Sequence, residues 1–294
     1  MVKDFSAWKI YDGFYEGSGR SEKIWLTNPQ TGQIGLFKYK KDVGTKDYVS
    51  EKLAADLGML LNLPCAKIDI GKYKENDGSM SYLINEENED LIEGIWLINQ
   101  IYPNYSAEEM YDSSLCEYYS INMLEKSIEK YGLIKELLQT LIFDYLIGNS
   151  DRHQNNWAIL NKGEGYYEFS PLYDNSSSLC CYILEQDVNK YLTNDLNRFN
   201  SLVRTKSKSI VRIDGKSKKR PTHEEVLKYI NDKYQYKISS FVKEIKLKIT
   251  SDSIDTLLLN YNEPLLSENR KRLIKLFLLE KVKNMCLIIE GEEA

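Results

Sequence analysis

A dense group of polar side chains follows directly after an apolar, helix-like run. In "LIFDYLIGNSDRHQNNWAIL", residues 141–160, the apolar run ends at Gly148 and the polar stretch "NSDRHQNN" leads into the short apolar strand "WAIL". Asp151 and Asn156 lie five residues apart in a tight loop between helix and strand, so both side chains can converge on one point. A carboxylate and an amide that converge in this way can bind a metal ion or handle a proton.

A second carboxylate is expected beside this loop. Two short strands follow it, joined by a turn at residues 163–165, and Asp174 comes immediately after the second strand in "SPLYDN". Because a β-hairpin returns the chain to where it began, Asp174 can be brought beside Asn156. Asn156 and Asp174 would then share Mg²⁺, and Asp151 would orient an attacking hydroxyl and accept its proton. This is the layout of a kinase active site, with ATP and Mg²⁺ as cofactors.

The alternative interpretation of the loop is purely structural, because Asp and Asn favour turns and helix caps. It would suffice for a single Asp-rich turn. It does not account for the second aspartate after the hairpin or for the features of the first third of the chain.

A kinase also needs a cation for the nucleotide phosphates and an acid that holds this cation. The strand "IGLFKYK" places Lys38 and Lys40 on one face, since they are two residues apart, and the following helix offers Glu51 in "DYVSEKLAADLG". A strand lysine paired with a helix glutamate positions nucleotide in kinases. Lys38 is the first candidate because it ends the apolar run "GLF", and Lys40 is the fallback. The alternative is a solvated lysine and a surface glutamate.

A glycine-containing segment lies between the first predicted strands. In "YEGSGRSEK", the backbone N–H groups near Gly17 and Gly19 could cover phosphates, and Ser18 and Ser21 are candidate autophosphorylation sites. The segment is a Gly-x-Gly and lacks the full Gly-x-Gly-x-x-Gly of many kinases. An ordinary hairpin turn explains it equally well.

Composition is that of an ordinary globular protein. The 294 residues are 42% hydrophobic and 28% charged, and the net charge is −5. No apolar run reaches about 18 residues, so no membrane span is expected. Five cysteines without a Cys-x-x-Cys motif indicate a reducing, cytoplasmic environment.

The periodicity predicts an α+β protein. The first third alternates apolar and polar positions in strands, interrupted by one helix from Asp47. The acidic stretch at residues 85–94 is the best candidate for a linker. Beyond it the pattern is helical, including residues 113–132 and 133–148, and the hairpin that begins with "NNWAIL" is the clear exception. We expect a nucleotide-binding part at residues 1–88 and a helical part at residues 89–294.

The motifs together resemble the HipA-like serine/threonine kinases, bacterial toxins of the persistence type. The resemblance rests on "GNSDRHQNNWAIL" and "SPLYDN", preceded by "LFKYK" and "SEKLAADLGMLLNLP", and covers residues 10–250. The same Asp-x-His-x-x-Asn pattern occurs in phosphatidylinositol 3- and 4-kinases, to which the HipA fold is distantly similar. The chain starts almost directly at the nucleotide-binding part, as in the short, free-standing members of the family.

The resemblance implies a bilobal, protein-kinase-like fold, with a β-rich N-lobe that contains one helix and a mostly helical C-lobe. Asp151 would match the catalytic aspartate, and Asn156 and Asp174 the metal ligands. Lys38 would match the ATP-contacting lysine. His153 falls on the loop histidine of the family, and a structural hydrogen-bonding role for it is an equal alternative.

The family also implies partners. We expect a protein substrate, with a translation-related protein as one candidate, and an antitoxin as a second partner. A small-molecule or lipid kinase of the same fold and a nucleotide-binding pseudokinase are the alternative functions. Residues 204–221, the basic segment, carry eight Lys or Arg and one Asp and form either a solvated loop or a docking patch for an acidic or nucleic-acid-associated target. No aromatic residue interleaves these cations, so direct nucleic-acid binding is not expected.

Overall fold

The computed structural model describes residues 2–13, 22–41, 44–289 and 291. The expected α+β class is confirmed: a strand-rich N-terminal third precedes a mainly helical remainder. The elements of the N-terminal third are β1 (Lys3–Asp4), β2 (Lys9–Ile10), β3 (Lys23–Thr27), β4 (Ile34–Tyr39), α1 (Asp47–Leu60), β5 (Ile68–Tyr73) and β6 (Asn76–Tyr82).

These strands form one sheet with the order β1-β5-β6-β4-β3-β2. β1 and β5 are parallel, and the other neighbours are antiparallel. The register places Lys38 on β4 directly between Lys23 on β3 and Ser79 on β6. Because directly paired residues share a face of the sheet, these three polar side chains form a row across it.

The remainder of the chain contains the longer helices and two small sheets. Its elements are β7 (Asp90–Glu93), α2 (Gly94–Asn99), β8 (Tyr105–Ser106), β9 (Tyr111–Asp112), β10 (Glu117–Tyr118), α3 (Ile121–Ile128), α4 (Ile134–Ile147), β11 (Ala158–Asn161), β12 (Tyr167–Phe169), α5 (Leu196–Val203), α6 (His223–Lys248), α7 (Ser251–Leu258) and α8 (Glu268–Ile289). None of the helices in the described part of the chain combines the length and apolar character needed to cross a membrane.

Two element predictions need correction. The acidic stretch at residues 85–94 is not only a linker, because its second half is β7, which pairs antiparallel with β11. The helical pattern at residues 113–132 is also too long, since β10 lies near its start and α3 begins only after Ser120. The Ser120 side chain accepts a hydrogen bond from the Met123 amide and so caps α3 at that point.

One hydrophobic core connects α1 with the helical remainder. Val49, Leu53 and Leu57 of α1 belong to the same buried cluster as Ile142 of α4 and Ile230 of α6. Two hydrogen bonds add to this packing near the end of the β11–β12 hairpin. The Ser50 hydroxyl of α1 donates to the Ser178 carbonyl at 2.7 Å, and the Ala66 amide donates to the Leu172 carbonyl at 2.9 Å. α1 is therefore anchored to the segment that carries Asp174.

A buried ion pair attaches the polar loop, residues 149–156, to α4. Arg152 Nε and Nη2 donate to the two carboxylate oxygens of Asp144, at 3.0 and 2.8 Å, and both side chains are almost fully buried. Arg152 Nη1 also donates to the carbonyls of Asn156 (2.6 Å) and Tyr173 (3.1 Å), and Nη2 donates to the Asn175 side chain. One guanidinium thus holds the helix, the loop and the end of the hairpin together, as its planar fork of donors permits.

We predict that Arg152→Met lowers the free energy of unfolding by about 3–5 kcal/mol, because it leaves the Asp144 carboxylate buried without a partner. Urea unfolding followed by circular dichroism measures this. Arg204→Met is the matched control: Arg204 pairs with Glu224 at the surface, and its removal should cost at most about 1 kcal/mol.

Adding Asp144→Leu to Arg152→Met should recover part of the stability, because the unpaired buried charge is then gone. Equal losses for the Arg152 and Arg204 variants would contradict the role assigned to the buried pair.

Candidate active site

The polar loop begins where α4 ends. Gly148 has φ +67°, the left-handed conformation that commonly terminates a helix, and its amide donates to the Asp144 and Tyr145 carbonyls. The chain then turns tightly, with the His153 amide donating to the Asp151 carbonyl and the Asn156 amide to the His153 carbonyl, both at 2.9 Å. These turns bring Asp151 and Asn156 together, as the sequence predicts.

The Asn156 side chain is fixed within this loop. Its Nδ2 donates to the Asp151 carbonyl at 2.7 Å, which determines the end of the amide at which the Oδ1 oxygen lies. Asn149 supports the loop from its other side, since its Oδ1 accepts from the Asp151 amide (3.2 Å) and its Nδ2 donates to Asp144 Oδ1 (2.9 Å).

Asp174 lies at the end of the β11–β12 hairpin, next to the loop. Its φ of +51° is uncommon for a residue other than glycine, although Asp tolerates it better than most. Such a conformation is maintained only where the surroundings determine it, and Arg152 holds the adjacent Tyr173 carbonyl. The Ser176 hydroxyl donates to Asp174 Oδ1 at 3.2 Å.

The strand lysine joins the two halves of the site. Lys38 Nζ lies 2.8 Å from Glu51 Oε1 and 3.0 Å from Asp174 Oδ1. Glu51 is buried, and its Oε2 accepts from the Ser79 hydroxyl at 2.9 Å, so both of its oxygens are occupied. Lys38 thus bridges the α1 glutamate and the hairpin aspartate.

The other strand lysine lies elsewhere. Lys40 Nζ is 4.0 Å from Asp77 and 5.9 Å from the centre of the Tyr48 ring. The structure therefore favours Lys38 over the fallback on geometric grounds.

Charge complementarity holds Lys38 and Asp174 in their ionised forms. Burial alone would lower the pKa of Lys38, but the carboxylates of Asp174 and Glu51 outweigh it and raise that pKa above its usual value. Burial alone would raise the pKa of Asp174, but the Lys38 ammonium lowers it to about 2. Asp174 therefore remains a carboxylate at neutral pH, the form in which it can bind a cation.

The electrostatic environment of Asp151 is different. Burial raises the pKa of this half-buried carboxyl group above its usual value, and the charge of Asp174 raises it further. His153 and the cations of Lys41 and Arg220 act in the opposite direction without cancelling the rise. The higher pKa makes Asp151 a better proton acceptor than an ordinary exposed aspartate.

His153 makes a structural contact in the loop. Its Nδ1 accepts a hydrogen bond from the Asn155 amide at 3.2 Å. This contact agrees with the structural alternative for the histidine. The electrostatic influence of His153 on Asp151 and Asp174 also places it close to the two carboxylates.

The donor set fits Mg²⁺ shared with phosphate. Asn156 and Asp174 supply an amide oxygen and a carboxylate oxygen, both hard ligands of the kind that this ion takes. Within the described residues, no group of three or more His, Cys, Asp or Glu side chains could hold a metal by itself. Two protein ligands completed by phosphate and water oxygens is the usual arrangement for Mg²⁺ at nucleotide sites.

The sequence patterns did not reveal every residue of the site, and four of the predicted ones cannot be compared with the structure. Gly17, Ser18, Gly19 and Ser21 lie outside the described residues. Ser79 and Lys23 flank Lys38 only through the strand register, which no local pattern reveals. Asp144 did carry a signal, because an aspartate within the apolar run "LIFDYLIG" must find a partner once it is buried.

Comparison with known proteins finds a family model and solved structures to which this chain is similar. Residues 99–235 match the family model described as the HipA-like C-terminal domain. No curated protein matches the chain. The crystal structure of the Helicobacter pylori proinflammatory kinase CtkA superposes with a TM-score of 0.81 and 19% identity, covering 99% of this chain and 97% of that one.

A second similar structure is HipA of Shewanella oneidensis MR-1, solved in a toxin–antitoxin complex with HipB and operator DNA. It superposes with a TM-score of 0.57 and 14% identity over 94% of this chain and 66% of that chain. At these identities the two structures establish similarity of fold. The predicted resemblance is confirmed by the family model of the HipA-like C-terminal domain, which residues 99–235 of the chain match.

Proposed function

We propose that this protein is an ATP-dependent serine/threonine protein kinase of the HipA-like type. The observation that carries the proposal is the position of Lys38 between Glu51 and Asp174, at 2.8 and 3.0 Å. The HipA-like domain and the folds of the two similar structures support it. Residues 1–88 would form the N-lobe and residues 89–294 the C-lobe of a bilobal kinase.

Each side chain then has one task. Asn156 and Asp174 would hold Mg²⁺, and this ion would supply positive charge to the phosphates of ATP. Lys38, held by Glu51, would contact the nucleotide phosphates. The acceptor hydroxyl would form a bond to the γ-phosphorus as the bond to the β–γ bridging oxygen breaks. ADP would leave, and the hydroxyl proton would pass to Asp151.

The acceptor is proposed to be a protein with acidic residues near the reacting hydroxyl. Arg220 and Lys41 both lie close enough to Asp151 to influence its pKa. Arg220 is exposed and belongs to the basic segment, residues 204–221. Within this segment the Ser209 amide donates to the Pro221 carbonyl at 3.0 Å, so the chain folds back on itself there. Lys41 is only partly exposed and pairs with Asp47 at 3.6 Å, so Arg220 is the better candidate for attracting an acidic peptide and repelling a basic one.

We also propose a toxin role with an antitoxin partner, by analogy with the HipA–HipB complex. A translation-related protein is a candidate substrate. Expression of the intact protein and of Asp151→Asn in a bacterial host, followed by growth measurements and phosphoproteomics, would identify the acceptor and test toxicity. Equal growth and identical phosphoproteomes would contradict both parts of this proposal.

We predict that Asp151→Asn and Asp174→Ala each abolish transfer of labelled γ-phosphate from ATP to the protein or to lysate proteins. The first removes the proton acceptor and the second removes a metal ligand. Circular dichroism should show an intact fold in both variants. Normal labelling by either variant would show that its assigned role is wrong.

Lys38→Met should lower ATP-dependent labelling on the order of a hundredfold, because it removes the cation that contacts the phosphates. Lys40→Met is the matched control on the same strand and should leave labelling within about twofold of the unsubstituted protein. A larger loss for Lys40→Met than for Lys38→Met would reverse the assignment of the two lysines.

Arg220→Glu should reduce labelling of an acidic serine peptide several-fold and increase that of a basic peptide, since the charge facing the acceptor is inverted. Peptides matched in all but their flanking charges measure this preference. An unchanged ratio between the two peptides would exclude Arg220 from acceptor recognition.

Two alternatives remain testable with the same reagents. A lipid or small-molecule kinase would transfer label to extracted lipids or metabolites and leave lysate proteins unlabelled. A pseudokinase would bind ATP without Mg²⁺-dependent turnover. The contacts of Lys38 with Glu51 and Asp174 favour an active enzyme over the pseudokinase.

A further inference from the structure

A lysine is buried in the middle of α8, away from the proposed site. Lys281 has no exposed side-chain surface, and no carboxylate of the described residues lies within 4 Å of its Nζ. The Nζ lies 4.5 Å from the centre of the Tyr145 ring and 5.4 Å from that of Phe277, and it donates to the Ser207 hydroxyl at 2.9 Å. Burying a cation without an adjacent counter-ion lowers stability, so a contribution to stability does not explain this lysine.

Hydrogen bonds lead from Lys281 to the polar loop. Ser207 Oγ lies 2.9 Å from His223 Nδ1, and His223 Nε2 lies 2.9 Å from the Asn149 carbonyl. All four residues are buried. Asn149 in turn accepts a hydrogen bond from the Asp151 amide. The series thus connects α8 with the residue proposed to accept the proton.

The direction of each hydrogen bond in this series can be assigned. A carbonyl oxygen only accepts, so His223 Nε2 must carry a proton. Burial lowers the pKa of His223 to about 3, which leaves the ring neutral and its Nδ1 an acceptor at neutral pH. The Ser207 hydroxyl must therefore donate to Nδ1 and accept from Lys281. An ammonium group, which can only donate, enforces this arrangement.

We propose that Lys281 is a positioning residue, whose charged form fixes the Ser207–His223–Asn149 hydrogen bonds and thereby holds the polar loop in the geometry that places Asp151. The functional part of this inference rests on the proposed kinase activity. Lys281, Ser207, His223 and Asn149 are called the relay below, because hydrogen bonds connect them in this order.

Deprotonation of Lys281 would weaken the relay. A neutral amine can accept a hydrogen bond, so Ser207 could turn towards Lys281 instead of His223. The imidazole could then adopt its other tautomer and withdraw its donor from the Asn149 carbonyl. The Asp151 amide would lose part of its support, and small displacements of a catalytic group lower turnover strongly.

The charge on Lys281 should change near neutral pH. Burial lowers the pKa of Lys281 to about 7, and the nearby groups Glu224 and Cys180 oppose this shift. The remaining groups that face Lys281 are the Tyr145 ring from α4 and His223 from α6, neither of which supplies a negative charge at this pH.

This titration has opposite effects on turnover and stability. As pH rises above about 7, the charged form disappears and turnover should fall. The unfolded chain keeps its lysine protonated up to its ordinary pKa of 10.5, so the free energy of unfolding should rise over the same range.

The test compares Lys281→Met with Lys283→Met, an exposed lysine on the same helix. ATP turnover and unfolding are measured between about pH 6 and pH 9. We expect Lys281→Met to lower turnover at about pH 6 roughly tenfold and to abolish its decline with pH, with the KM for ATP nearly unchanged. Its stability should equal or exceed that of the unsubstituted protein, and Lys283→Met should behave like the latter.

Ser207→Ala is a second variant that breaks the relay and leaves Lys281 in place, and it should also remove the pH dependence. A decline of turnover with pH that persists in both variants would overturn the proposal. Lower turnover in Lys281→Met that merely follows a loss of stability would overturn it as well.

Hydrogen exchange separates this inference from the proposed function. Without nucleotide, the amides of residues 149–153 should exchange faster in Lys281→Met than in Lys283→Met. Faster exchange in a protein that never turns over ATP would refute the kinase proposal while supporting the relay. Unchanged exchange in an active protein would refute the relay alone.

Discussion

The buried ion pair between Asp144 and Arg152 is the interaction on which the site geometry depends. Asp144 fixes the guanidinium to α4, and the remaining donors of Arg152 hold the Asn156 and Tyr173 carbonyls. The proposed proton acceptor, Asp151, is adjacent to Arg152 in the chain. One side chain therefore sets the distances between groups that come from a helix end, a loop and a hairpin. Buried ion pairs add little net stability compared with apolar packing, so specificity of geometry is the better account of this one.

Much of the site follows from local sequence patterns and simple topology. A hairpin must return the chain, which is sufficient to place Asp174 near Asn156. Lys38 ends an apolar strand and Glu51 lies in the helix that follows it. This order along the chain is sufficient to predict that the two side chains pair. These inferences succeed because each joins residues through a single strand, turn or helix, whose geometry varies little.

The contacts that sequence analysis missed depend on distant segments. Ser79 reaches Glu51 only because β6 pairs with β4 in one particular register, and a shift by one residue would turn Ser79 to the other face. Residues 85–94 have the composition of a linker, yet four of the ten pair with β11, which is far away in the chain. His223 and Lys281 lie in two helices whose sequence patterns give no sign of a contact, and both meet Ser207, in the connection between α5 and α6, only through the tertiary fold.

The anchoring of α1 limits how the proposed kinase could be regulated. Many protein kinases are inactivated when the helix with the glutamate partner rotates outward and breaks its contact with the strand lysine. Here that helix contributes Val49, Leu53 and Leu57 to the core that it shares with α4 and α6. An outward swing would expose this apolar surface to water at a large cost. Control by displacement of Glu51 is therefore disfavoured. Inhibition of the proposed activity would cost less free energy through side chains or loops that move without exposing the core.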